Sequence, residues 1–195
     1  VVRDSALTAS GLLTRKIGGP SVFPPQPAGV TALSYGTLAW NESTGADRYR
    51  RGLYTFIKRT TPYATFGLFD APSREACVVR RSRSNTPLQA LTLLNDVVFM
   101  EVAVELGKKT TLSDEQSPQQ RATTLFRRVL TRPPSREEVE KLVHFYDQQL
   151  DRLKQNQNLS QQLLGTAASS SQAEISQPEW AAWTLVARAI LNMDE

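Results

Sequence analysis

Residues 70–96 read DAPSREACVVRRSRSNTPLQALTLLND and crowd four arginines and the chain's one cysteine against a helix start. Guanidinium forks grip sulfate, phosphate or carboxylate through paired hydrogen bonds. The free N–H groups at a helix N-terminus add a partial positive charge in the same place. Arg74, Arg80, Arg81 and Arg83 are therefore candidate anion- or partner-binding residues, joined by Lys58 and Arg59 upstream. A nucleophilic reading would need Cys77 and the single histidine, His144, brought together from distant segments. The commoner fate of a lone cysteine is burial as a small apolar residue, and that is the role expected for Cys77. At about 100° per residue, His144 falls opposite Leu142, Tyr146 and Leu150 and reads as a solvated surface residue. One cysteine and one histidine cannot build a zinc or iron–sulfur site or a haem-attachment sequence. No glycine-rich phosphate loop precedes a helix. The sequence thus assigns no catalytic residue, no metal site and no cofactor to this chain.

The charge is unevenly spread. Residues 48–83 hold nine basic and two acidic groups, whereas residues 84–195 hold eleven basic and fourteen acidic, so the basicity behind the net charge of +4 belongs to one segment. Two fates are open to those cations. They pair with acidic residues on the helices expected at 97–107 and 136–154, or they form an exposed anion site. Tyr49, Tyr54, Phe56 and Tyr63, interleaved with them, would also suit stacking on nucleic-acid bases. No helical pattern places three or four polar side chains on one groove-facing side, which argues against nucleic acid.

The elements that must position these residues are mostly helical. Val2, Ala6, Ala9 and Leu13 share helical spacing over residues 1–14, and Ile17-Gly18-Gly19-Pro20 should stop that helix. Residues 20–47 read as loop, with a proline-restricted PSVFPPQPAG. Residues 48–69 fit a short strand and a helical turn about equally, which leaves room for one short strand pair. Thr86-Pro87-Leu88-Gln89 is a capping box with proline at the first helical position, and Leu88, Leu91 and Leu94 form one face behind it. Asn95-Asp96 can cap again, starting a helix whose Val98, Val102 and Leu106 run to Gly107. Ser117 and Ser135 open two further helices. The first carries Ala122, Leu125, Phe126, Val129 and Leu130 inward, and Pro133-Pro134 ends it. The second carries Val139, Leu142, Val143, Tyr146, Leu150 and Leu153 inward. Residues 155–177, rich in Gln, Asn and Ser, read as a flexible linker with room for one helical turn. A closing helix from Pro178 places Trp180, Trp183, Ala187 and Ile190 on one side, in a core. The fold class is mostly α: a small helical bundle with a loop-rich, aromatic and basic N-terminal part. At 195 residues one domain is expected, with 1–85 as the N-terminal part, 86–154 as helical core, 155–177 as linker and 178–195 as closing helix.

No apolar run is long enough to span a membrane, and the single cysteine rules out an internal disulfide. The start, Val1-Val2-Arg3-Asp4, has no initiator methionine and no apolar signal region; any export signal would lie upstream.

Three long motifs carry a resemblance. These are YRRGLYTFIKRTTPYATFGLFDAPSREACVVRRSRSNTPLQALTLLND, LFRRVLTRPPSREEVEKLVHFY and WTLVARAILNMDE, with VVRDSALTASGLLTRKIGGPSVFPP before them. Together they resemble domain-of-unknown-function family 1553, the planctomycete-specific domain, over nearly all of the chain except 155–177. The resemblance implies the C-terminal part of a longer exported protein, with a second domain of unknown function and a haem-binding cytochrome c-like domain upstream. It implies an extracytoplasmic location and supplies no catalytic residues. The leading expectation is a non-catalytic interaction or scaffold module that binds an anionic polysaccharide or the upstream domains of the same polypeptide through residues 48–83. The alternative is part of an extracytoplasmic enzyme, polysaccharide-related or redox, whose catalytic groups lie partly upstream.

Overall fold

The computed structural model describes residues 2–27, 29–30, 39–58, 61–73, 75–170 and 175–193. These residues are mostly helical. Among them there is no sheet, only two isolated parallel bridges, Thr14–Arg50 and Val22–Thr55. The chain divides into two compact units, residues 1–99 and residues 100–195, where length alone led to the expectation of one domain.

In the first unit, α1 (Val2–Ser10) ends at Gly11, whose φ of 79° suits glycine, well before the Gly-Gly-Pro run. Its buried residues are Arg3, Ala6, Leu7 and Ser10, so the expected apolar stripe is turned and admits a charge. Arg3 is only 5% exposed, and its guanidinium donates to the carbonyl oxygens of Arg50 (2.9 Å) and Arg48 (3.1 Å). Those bonds offset the cost of burying the cation.

The described residues of 48–69 form neither a strand nor one helix. Two 3-10 turns, Gly45–Tyr49 and Gly52–Tyr54, precede the short α2 (Ala64–Leu68). Arg50, 1% exposed, explains the irregular path. It donates to the carbonyl oxygens of Lys16 (3.1 Å), Pro20 (3.3 Å) and Gly18, and lies 3.8 Å over the Tyr54 ring. The loop at residues 16–20 is wrapped around this one buried cation. Trp40 stacks on Tyr63 at 6.0 Å and Phe23 on Phe56 at 5.0 Å. The Trp40 indole N–H and the Tyr63 hydroxyl donate to the carbonyl oxygens of Pro24 (2.8 Å) and Pro25 (3.2 Å), pinning the proline run. Burial pushes the Tyr63 hydroxyl pKa up.

α3 (Pro87–Asn95) starts as its sequence predicts. Thr86 Oγ1 accepts from Gln89 N and Gln89 Oε1 accepts from Thr86 N, closing the capping box. Its leucine face does not pack as expected: Leu88 and Leu91 are each 55% exposed. The buried residue is Gln89, whose side-chain amide donates to Leu68 O (2.7 Å) and Ser84 Oγ (3.0 Å). Asp96 Oδ1 accepts from Val98 N, and α4 (Val97–Thr111) follows.

The second unit is a helical bundle: α4 from residue 100 on, α5 (Pro118–Leu130), α6 (Arg136–Gln155), α7 (Gln157–Leu164), α8 (Thr166–Ser170) and α9 (Gln177–Leu191). α4 runs through Gly107 and does not stop there. Ser117 and Ser135 cap α5 and α6 through their hydroxyls, and Thr131, with φ of 62°, ends α5 ahead of the proline pair. The expected linker is a correction. Residues 157–170 form α7 and α8, and Ser160 and Leu164 are buried. Leu164 supplies an apolar anchor that the Gln/Ser-rich composition conceals, and α7 packs on α9. α9 is the centre of this unit, with Trp180, Trp183, Val186, Ala187 and Ile190 all buried. Trp183 stacks on Tyr146 of α6 at 4.3 Å, and the Trp180 indole N–H donates to Val104 O at 2.8 Å.

Candidate functional site

The arginine-rich run of the first unit is held at its neck by three residues. Asp70 adopts a left-handed φ of 55°. Its carboxylate accepts from the hydroxyl (2.7 Å) and N–H (2.8 Å) of Ser84, and these bonds, chiefly the hydroxyl's, hold its pKa below the ordinary 3.8. Arg81 donates through Nε to Asp70 O and through Nη2 to Phe69 O, both at 3.0 Å. Beyond this neck the chain is open: every residue from 75 to 88 is exposed. Cys77, expected in a core, lies on that exposed run. Residues around it turn no apolar face inward, so nothing draws the thiol under cover.

The predicted site residues separate by role. Arg81 is spent largely on the turn. Arg80 and Arg83 are exposed, and among the described residues neither makes a hydrogen bond or ion pair. Lys58 is half-buried and has a partner within the protein. Arg59 and Arg74 lie outside the described residues. Three arginines of the basic segment have partners within the first unit. Arg50 and Arg81 take backbone carbonyls, and Arg48 takes Glu42 at 3.1 Å. Four acids of α4 and α6 pair close at hand: Glu105 with Lys109, Glu137 with Lys141, Glu138 with Arg132 and Glu140 with Arg136. His144 is exposed on α6, as its helical position predicts, with Gln148 Nε2 2.9 Å from its Nε2.

Sequence reasoning missed a cleft of about 610 Å³ beside the neck. α1 supplies Val2, Arg3 and Asp4, the second 3-10 turn supplies Gly52 and Leu53, and α2 supplies Thr65 and Phe66; Phe69, Ser73 and Arg81 also line it. Asp4 fixes two of these segments together, since its Oδ1 accepts from Gly52 N at 2.8 Å. The lining comes from segments some fifty positions apart in sequence, so no local pattern signalled it.

A family model described as PSD1, protein of unknown function (DUF1553), matches residues 1–146. This covers most of the chain, and the protein belongs to that family. No curated protein and no solved structure matches the chain.

Proposed function

We propose that the chain is a non-catalytic interaction module of a larger exported protein, binding an anionic polysaccharide through its basic segment. One observation carries this reading: Arg80 and Arg83 stand on an exposed run with no counter-charge among the described residues, while Arg48, Arg50 and Arg81 are spent inside the fold. Two unpaired guanidinium forks three residues apart suit the repeated sulfates or carboxylates of a polyanion. The exported location and the upstream domains rest on the family resemblance. No helix among the described residues is long and apolar enough to cross a membrane.

The test is binding of fluorescent dextran sulfate at increasing salt. Affinity should fall steeply with ionic strength, because exposed charges are screened within about a nanometre at 0.1 M. The double variant Arg80→Gln/Arg83→Gln should lose most of the binding while keeping its melting temperature. Retained affinity in that variant would overturn the reading.

A further inference from the structure

The cleft behind Arg81 calls for a different ligand from the exposed arginines. Its volume, about 610 Å³, lies within the roughly 300–1,000 Å³ typical of small-molecule sites. Its walls are largely apolar and include Leu53, Phe66 and Phe69. Leu53 is 67% exposed, an apolar side chain held in water. Two cations and one anion line the space: Arg3, Arg81 and Asp4.

Their bonding leaves donors over on both arginines, and the one carboxylate, with its Oδ2 uncommitted among the described residues, offsets only one of the two cations. Arg3 is buried, its Nη1 and Nη2 are spent on backbone carbonyls, and its Nε has no partner. Arg81 spends Nε and Nη2 on the turn and keeps Nη1 uncommitted among the described residues. Asp4 already accepts from Gly52 N and sits 3.7 Å from Arg3 Nη1. The lining therefore has a net positive charge, with Arg81 Nη1 unused among the described residues.

We propose that this cleft binds a small organic anion with an apolar body, its carboxylate or sulfonate on Arg81 and its body against Leu53, Phe66 and Phe69. A neutral ligand of the same shape would leave the arginine charge unanswered. A compact inorganic anion would leave the walls wet. The inference goes beyond the polyanion reading and does not depend on it.

Anilinonaphthalenesulfonate fluorescence on the full chain tests it, with decanoate and decanol as competitors. We expect one saturable site, displaced by decanoate and not by decanol at equal concentration. Leu53→Asp, which sets a like charge in the lining, should weaken binding about tenfold or more, whereas Leu53→Lys should not. Leu53 is exposed, so both variants should melt as the parent does. Arg80→Gln/Arg83→Gln should leave the cleft ligand bound, and Leu53→Asp should leave dextran sulfate binding intact, so the two sites fail separately. Absence of saturable binding, equal displacement by decanol, or equal weakening by the Asp and Lys variants would overturn the proposal.

Discussion

Gly107 of α4 and Thr184 of α9 face each other with no room for a side chain between them. A methyl group at Gly107 would stand 2.5 Å from Thr184 Oγ1, 2.7 Å from its N and 2.9 Å from its Cα. Two of those neighbours are backbone atoms and cannot rotate away. Helix propensity alone would make Gly107→Ala stabilising by roughly 1 kcal/mol. Overpacking at this contact should reverse the sign and cost about 1–3 kcal/mol. Urea denaturation of the variant decides between them: a raised midpoint would mean that the two helices part cheaply.

Trp183 is fully buried and stacked on Tyr146. Trp183→Ala should cost about 3–5 kcal/mol through lost burial and the cavity left behind. Tryptophan emission of the native protein should be blue-shifted. A red-shifted spectrum with little loss of stability would place the indole in solvent.

Arg50 serves as a hub for carbonyl oxygens and an aromatic ring, so charge alone will not replace it. Arg50→Lys keeps the charge but loses the planar fork and the stacking on Tyr54. It should destabilise the first unit nearly as much as Arg50→Ala, and limited proteolysis should cut near residues 16–20 in both. Full rescue by lysine would reduce the role of Arg50 to its charge.

Thr86→Ala removes the acceptor for Gln89 N and should cost about 1 kcal/mol. Thr86→Ser should retain most of the stability, since its hydroxyl accepts the same bond. Thermal melts of the two variants give the comparison, and equal loss in both would point to the threonine methyl.

Glu138 gives a pH signature. The Arg132 guanidinium first, and the Ser135 N–H second, hold its carboxyl at about 2, well below the ordinary 4.5. A depressed folded value means that the ion pair favours the folded state above about pH 4.5 and that this contribution is lost as pH falls towards 2. Carboxyl chemical shifts followed by NMR should show Glu138 still ionised at pH 3. In Glu138→Gln the difference in stability from the parent should shrink as acid is added. A midpoint near 4.5 for Glu138 would contradict the bonding with Arg132.

Local chemistry was the legible part of this sequence. Thr86, Ser117 and Ser135 cap their helices as read, because a cap needs only its own next three residues. The buried stripe Val98, Val102, Leu106 and the inward tryptophans of α9 followed from periodicity in the same way. Arg3 and Arg50 were not legible as interior residues. Their partners are carbonyl oxygens, which every residue carries, so no residue type marks them. Residues 157–170 were misread because glutamine and serine are compatible with both linker and helix, and the docking of α7 on α9 decides between them. The cleft was hidden for a related reason. Asp4 and Gly52, which close it, are far apart in the chain and joined by one hydrogen bond to a backbone N–H.

α9 follows every other described helix in the chain and is the centre of the second unit, and this bears on the order of events at the ribosome. The second unit cannot complete its core until residues 177–191 have emerged, because Tyr146 and Val104 wait for Trp183 and Trp180. The first unit has all its segments by residue 99. During vectorial synthesis the parts of α5 and α6 that pack on α9 are therefore left uncovered for as long as some forty further residues take to be translated. A nascent chain stalled anywhere from 147 to 176 is the species on which a holdase chaperone would act.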